Sequence, residues 1–150
     1  MSIHKRYGLR QRQLESRAVK RGNSQKKAVL IVDDEVDITT VFKLSLEEED
    51  LYVHAYNDPL LALVDYRPGT FDLLLLDVRM PKMSGFELYK RIIDIEHDDD
   101  KPQVCFITAY EEYYTQFETS FPTLKAGCFL RKPISVPDLV KAIKSQLGLL

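Results

Sequence analysis

The chain predicts an α/β protein, a doubly wound sheet of five parallel strands in the order 2-1-3-4-5 with helices on both faces. Three observations lead there. Apolar runs and amphipathic segments alternate, strand then helix, five times over residues 28–149, which implies parallel strands joined by crossover helices. The third run, Phe71 to Leu76, has five apolar residues in six, a density suited to a strand buried on both faces. Polar and charged residues stand where the runs stop, and the carboxyl ends of strands are where such sheets hold ligands.

A length of 150 residues suits one ordinary domain with a full core. The net charge of −2 conceals an asymmetry. Residues 1–27 carry nine Lys or Arg against Glu15 alone, a charge of +8, whereas residues 28–150 carry 12 basic and 22 acidic residues, a charge of −10. The expected organisation is therefore a basic, disordered or marginally helical tail (1–27) followed by an acidic domain (28–149). A short helix between about Leu9 and Lys20 has only a thin apolar face. Charge alone would let this tail hold nucleic acid or an acidic partner, although Tyr7 is its only aromatic for stacking on bases; an Arg-rich leader would also read as a targeting peptide. No apolar run approaches the roughly 20 residues of a membrane span, and no secretory signal is visible. Cys105 and Cys128 fall in predicted strands and fit neither metal spacing nor a disulfide framework. Buried free thiols imply a reducing, cytoplasmic setting. His4, His54 and His97 are scattered and carry no expected chemistry.

Taken in order, Ala28–Val32 is the first strand, and Asp37–Glu49 a helix with Ile38, Val41, Phe42, Ser45 and Leu46 at helical spacing. Leu51–Tyr56 is the second strand. Asp58-Pro59 supplies an N-cap and a proline at the first helical position of a helix to about Tyr66. Arg67-Pro68-Gly69-Thr70 turns the chain into the third strand, Phe71–Asp77. Ser84-Gly85-Phe86-Glu87 is a capping box, and its helix carries Leu88, Ile92 and Ile95. The acidic run Asp98-Asp99-Asp100 reads as a solvated loop. Gln103–Thr108 and Gly127–Arg131 are the last strands, and Ser135 to Asp138 caps a final helix through Val140, Ile143 and Leu147.

The strand tips then carry Asp33 and Asp34, Asp77, Thr108 and Lys132. In the expected order the first and third strands are neighbours at the switch point, so the three acids converge. Each pair of carboxylates costs about 4 kcal/mol at roughly 4 Å and an effective dielectric near 20. Such a cluster either raises its pKa values or holds a hard divalent cation, and oxygen ligands with room for waters and a phosphoryl oxygen suit Mg²⁺. A carboxylate nucleophile, a metal, an ammonium and a hydroxyl make up the inventory for phosphoryl transfer onto an aspartate. The plainer alternative is a structural salt-bridged cluster.

The segments LIVDDE (30–35), LLLLDVRMPKMSG (73–85), VCFITAY (104–110) and AGCFLRKP (126–133), in this order and spacing, resemble the receiver domain of two-component response regulators over about residues 28–149. The resemblance implies a flavodoxin-like fold with Asp77 as phosphoacceptor, and Asp33, Asp34, Asp77 and the Arg79 carbonyl around Mg²⁺. It implies that Lys132 contacts the phosphoryl group and that the Lys132-Pro133 bond is cis. Thr108 corresponds to the switch hydroxyl and Phe129 to the switch aromatic, where many receivers have Tyr. The phosphoryl donor would be a sensor histidine kinase or a histidine phosphotransfer protein. A surface within residues 110–147 would dimerise or dock a downstream protein.

Two bulky residues beside the expected pocket, Arg79 and Tyr110, are candidates for shielding an acyl phosphate from water. Tyr110, Tyr114, Phe117 and Phe121 fall on one helical face and read as core, with Tyr113 off that face as a partner contact. The last helix runs to the end of the sequence, which leads to the expectation of a stand-alone phosphoacceptor that catalyses its own phosphorylation and dephosphorylation. An aspartyl phosphatase would want an acid where Arg79 stands. A flavin carrier would want a glycine- and hydroxyl-rich loop where Asp33-Asp34-Glu35 stands.

Overall fold

Runs that are apolar at every position can be buried only between two layers, and the computed structural model of the chain places them so. It describes residues 26–97, 101–124 and 129–150. The elements are β1 (Ala28–Val32), α1 (Val36–Glu47), β2 (Tyr52–Tyr56), α2 (Pro59–Asp65), β3 (Leu73–Asp77), α3 (Gly85–Ile95), β4 (Gln103–Thr108), α4 (Glu112–Ser120), β5 (Phe129–Arg131) and α5 (Val136–Gln146). All strand pairs are parallel, in the order β2-β1-β3-β4-β5. The expected fold is thus the observed one. The tail up to residue 25, the run 98–100, His4, Cys128 and the Gly127 start of the fifth strand lie outside the described residues.

Alternation along the strands feeds two cores. Val29, Ile31, Leu73, Leu75, Cys105 and Ile107 face Phe42 and Leu46 of α1 and Leu139 and Ile143 of α5. Leu30, Val32, Leu74, Leu76, Val104 and Phe106 face α2, α3 and α4. Phe106 lies at the centre of an aromatic group, its ring centroid 4.9 Å from Phe86, 5.5 Å from Tyr89, 5.4 Å from Phe121 and 5.9 Å from Phe117.

The N-cap halves of the capping signals form, while Glu87 of the first box accepts from Arg91 instead. Asp58 Oδ1 accepts from Leu60 N at 2.9 Å, Ser84 Oγ from Glu87 N at 3.2 Å and Ser135 Oγ from Asp138 N at 3.2 Å. Gly69 turns at φ 73°, the left-handed conformation a turn with proline before it requires. Among the described residues no helix is long and apolar enough to cross a membrane.

Three local expectations are corrected. Val41 is 48% exposed: α1 is oriented by Thr39, Phe42 and Leu46, and Val41 is turned about 100° from Phe42. Ile95 is exposed at the end of α3, where Glu96 turns inward instead and accepts from the Tyr66 hydroxyl and from Gly69 N. Tyr110 precedes α4 rather than lying on its inner face, whereas Tyr113 is partly buried against the core, 6.4 Å from Phe86.

Replacing Phe106 with Ala leaves a cavity touching four rings and should lower unfolding free energy by about 3–5 kcal/mol, read from urea midpoints.

Candidate functional site

The register of the sheet assembles the site. Val32 pairs with Leu76, so Asp33 follows beside Asp77; Asp77 pairs with Ile107, so Thr108 follows; Thr108 pairs with Arg131, so Lys132 follows. Backbone bonds carry the pairing past the strand ends, with Val78 N donating to Ile107 O at 3.0 Å and Lys132 N to Thr108 O at 2.9 Å. All the expected side chains reach one end of the sheet. A cleft of about 610 Å³ there is lined by Asp34, Asp77, Arg79, Thr108, Tyr110 and Lys132, among others.

Asp33, Asp34 and Asp77 each present a carboxylate oxygen within 4.8 Å of the others. Asp33 and Asp77 are buried, at 1% and 5% exposure. Burial, then the charge of Asp33, and also a hydrogen bond and charge from Asp34, push the Asp77 carboxyl up to about 7, against a partial counterweight from Lys132. Burial raises Asp33 as well, offset in part by Lys132 and by the Glu35 N–H. Lys132 Nζ lies 2.7 Å from Asp33, 3.1 Å from Glu35 and 3.7 Å from Asp77. Burial pulls its ammonium down, but these acids more than compensate and hold it above the ordinary lysine value. Three oxygen donors without nitrogen or sulfur ligands fit a hard cation such as Mg²⁺.

Thr108 is buried and its Oγ accepts from Tyr110 N at 3.2 Å. The Arg79 guanidinium sits 4.6 Å from the centroid of the Tyr110 ring, a cation–π contact across the cleft mouth. Phe129 packs inward, 5.3 Å from both Tyr114 and Phe117. Beside it an open cleft of about 440 Å³ is lined by Glu111, Tyr114, Thr115, Phe129 and Arg131. The Lys132-Pro133 bond is cis, as expected.

Three residues given no role from sequence support this arrangement. Asn57, just after β2, donates from Nδ2 to the Asp33 carbonyl and to Thr39 Oγ1, both at 2.9 Å, tying down the turn that carries the acid pair. Glu35 pairs with Lys132. Gly85 lets the first turn of α3 press on the tip of β3: a Cβ there would lie 2.2 Å from the Asp77 carbonyl oxygen, and Gly85 N donates to Val78 O at 2.9 Å. A glycine one residue after a capping serine was the available signal for the last; the first two bridge distant segments and leave no local mark.

The signature of the response regulator receiver domain matches residues 29–144. The polar-differentiation response regulator DivK of Brucella ovis is 32% identical over 129 residues, covering 81% of this chain and 97% of that protein. The cyclic di-GMP phosphodiesterase response regulator RpfG of Xanthomonas campestris pv. campestris is 35% identical over 115 residues, 74% of this chain. The chain spans only 29% of the length of RpfG and 26% of the transcriptional regulatory protein ZraR of Klebsiella oxytoca. Among solved structures, the non-phosphorylated HemR receiver domain from Leptospira biflexa superposes with a TM-score of 0.69 at 25% identity, covering 83% of this chain and 97% of that one. Four carboxyl-end positions lining one cleft with Asp33 buried beside them, on this sheet order and with these relatives, place the chain in the response regulator receiver domain family of two-component signalling.

Proposed function

We propose that the protein accepts a phosphoryl group on Asp77 from the phosphohistidine of a sensor histidine kinase or histidine phosphotransfer protein, in a Mg²⁺-dependent reaction in the cytoplasm. The convergence of Asp33, Asp34 and Asp77 within 4.8 Å, with Lys132 3.7 Å from Asp77, is the observation that carries this reading. An Asp77 oxygen bonds to phosphorus as the phosphorus–nitrogen bond to the donor imidazole breaks, its electron pair returning to the ring. Asp33, Asp34, Asp77 and the Arg79 carbonyl would hold Mg²⁺, which supplies positive charge to the phosphoryl oxygens. Lys132 neutralises a further oxygen, and the Thr108 hydroxyl donates to another. Water attacking phosphorus later restores the Asp77 carboxylate and releases phosphate.

The signal leaves through protein contacts. Drawing the Thr108 hydroxyl toward the phosphoryl group disturbs its bond from Tyr110 N, and the cleft beside Phe129 gives that ring room to adjust. The equilibrium of the surface formed by α4, β5 and α5, within residues 110–147, then shifts toward a form that binds a downstream protein or a second copy. The likeness to DivK, matched over nearly its whole length, supports a receiver that acts through contacts of this kind. The basic segment 1–27 is the part of the chain suited to nucleic acid or an acidic partner.

Incubated with Mg²⁺ and acetyl phosphate, the wild type should gain one phosphoryl mass and Asp77→Asn none; an equal gain in both would refute the assignment. The shielding role of Arg79 and Tyr110 has its own test. The double variant Arg79→Ala, Tyr110→Ala should lose phosphate from Asp77 several-fold faster, and an unchanged half-life would rule shielding out.

Electrostatics gives a third expectation. In EDTA, Asp77 keeps its proton to about pH 7 in the native state but only to about 3.8 when unfolded. The native state therefore binds more protons across that window, and its stability falls as pH rises through it. Asp77→Asn should be more stable than wild type at pH 8, by at most about 4 kcal/mol, and Mg²⁺ should narrow the gap by stabilising the wild type, which keeps all its carboxylates, more than the variant. Equal urea midpoints for the two proteins at pH 8 in EDTA would contradict a charge penalty from burial and from Asp33 at this position.

A further inference from the structure

Lys132 carries an ammonium with three hydrogens, and its two shortest contacts lead away from the residue proposed to react. Asp33 Oδ2 is 2.7 Å from Nζ and Glu35 Oε1 3.1 Å, whereas Asp77 Oδ1 is 3.7 Å away. Asp33 is fixed in this role: it is buried, and its other oxygen accepts from Glu35 N at 2.9 Å. Glu35 differs. Its side chain is 58% exposed. It stands at the N-cap of α1 yet makes no side-chain cap bond there, so its carboxylate is not engaged in capping the helix and is directed to Lys132. It lines the cleft that holds Asp77, on its solvent side.

Resting on the phosphoacceptor reading, we propose that Glu35 is a positioning residue that restrains Lys132 and selects against phosphoryl donors lacking a positive charge beside the phosphorus. A small dianionic donor meets two obstacles in Glu35: a like charge at the cleft mouth, and a lysine held toward β1. A donor protein that presents Lys or Arg next to its phosphohistidine removes both. The incoming cation pairs with the accessible Glu35 carboxylate, and Lys132, still held by Asp33, loses its second restraint and turns a freed N–H toward the phosphoryl oxygens over Asp77. Asp34 cannot substitute for Glu35 in this role, because Lys132 contacts Asp33, Glu35 and Asp77 and makes no ion pair with Asp34 among the described residues.

The test compares wild type and Glu35→Gln, which keeps the shape and removes the charge, at saturating Mg²⁺ with thermal unfolding confirming that both are folded. With acetyl phosphate, Glu35→Gln should label Asp77 roughly 1.5- to fivefold faster, the scale of a partly exposed ion pair. Its rate should also rise less with ionic strength than that of the wild type. With phosphohistidine peptides, the wild type should prefer one flanked by Arg to one flanked by Gln, and Glu35→Gln should lose the preference. In the absence of any donor, the NMR signal of the Lys132 ammonium should move in the variant. If the wild type labels on Asp77 and Glu35→Gln labels no faster and keeps the Arg preference, the restraint is overturned while the phosphoacceptor reading stands. If neither protein takes phosphate from any donor, that reading fails and the proposal falls with it.

Discussion

Three carboxylates held within 4.8 Å of one another is the constraint on which the rest of this molecule depends. Left to themselves they would separate. The fold prevents this by placing two of them on the turn after β1 and the third at the end of β3, strands joined by a full parallel ladder. Backbone and side-chain bonds then remove the remaining freedom: Asp33 N donates to Tyr56 O, Asn57 grips the Asp33 carbonyl, and Gly85 lets α3 close on Asp77. Raising Asp77 from 3.8 to about 7 corresponds to about 4 kcal/mol against ionisation, a large part of the roughly 5–15 kcal/mol that stabilises a domain. The acids therefore stay together because the sheet outweighs them. Lys132, from the far edge of the same sheet, supplies the compensating charge.

The same balance accounts for the completeness of strand burial. A site under this tension needs a support that does not yield, and β1, β3 and most of β4 are enclosed on both faces by the two cores. Close-packed interiors transmit strain rather than absorb it, so repulsion at the tips is resisted along the length of each strand. The loops beyond the tips are enclosed only in part: Val78 and Met80 are buried, but others there are not. Arg79, Lys82 and Tyr110 are all exposed, and Lys82 sits at φ 74° while its Nζ reaches Asp58 at 3.0 Å. Buried support thus gives way to exposed side-chain contacts around the cleft, an arrangement compatible with the proposed function.

What was legible in the sequence follows from the range of each interaction. Strand identity and the bounds of β4 could be read because an unbroken apolar run can be satisfied only by burial on two faces. The three side-chain caps could be read because an N-cap and its N–H donor are two or three residues apart. The converging tips were legible once the strand order was assumed, since each tip residue immediately ends a run. The orientation of α1 was not, because Thr39 is drawn inward by Asn57, 18 residues away, and its position rather than that of Val41 defines the buried side. Glu96 displaced Ile95 for a similar reason, its partners Tyr66 and Gly69 lying 30 and 27 residues earlier. The pairing of Glu35 with Lys132 spans 97 residues. Periodicity describes one element at a time, and these contacts exist only between elements.

If Asp77 takes a phosphoryl group as proposed, the contacts that connect it to the surface form a short chain. Thr108 Oγ is the acceptor for Tyr110 N, and the Tyr110 ring is the platform for the Arg79 guanidinium, itself two residues beyond Asp77. The ring also lies 6.2 Å from Tyr113, which in turn lies 6.4 Å from Phe86 at the start of α3. A displacement of the Thr108 hydroxyl thus loosens Tyr110 from one side, while any pull on Arg79 by new negative charge at Asp77 loosens it from the other. Neither event alone need be large. A ligand moves a two-state equilibrium only by its difference in affinity for the two states, and here one phosphoryl group would change two contacts of a single exposed tyrosine. Phe129 is already packed against Tyr114 and Phe117, whereas Tyr110 is exposed, so under the proposed function it is a ring that can respond without unpacking the core.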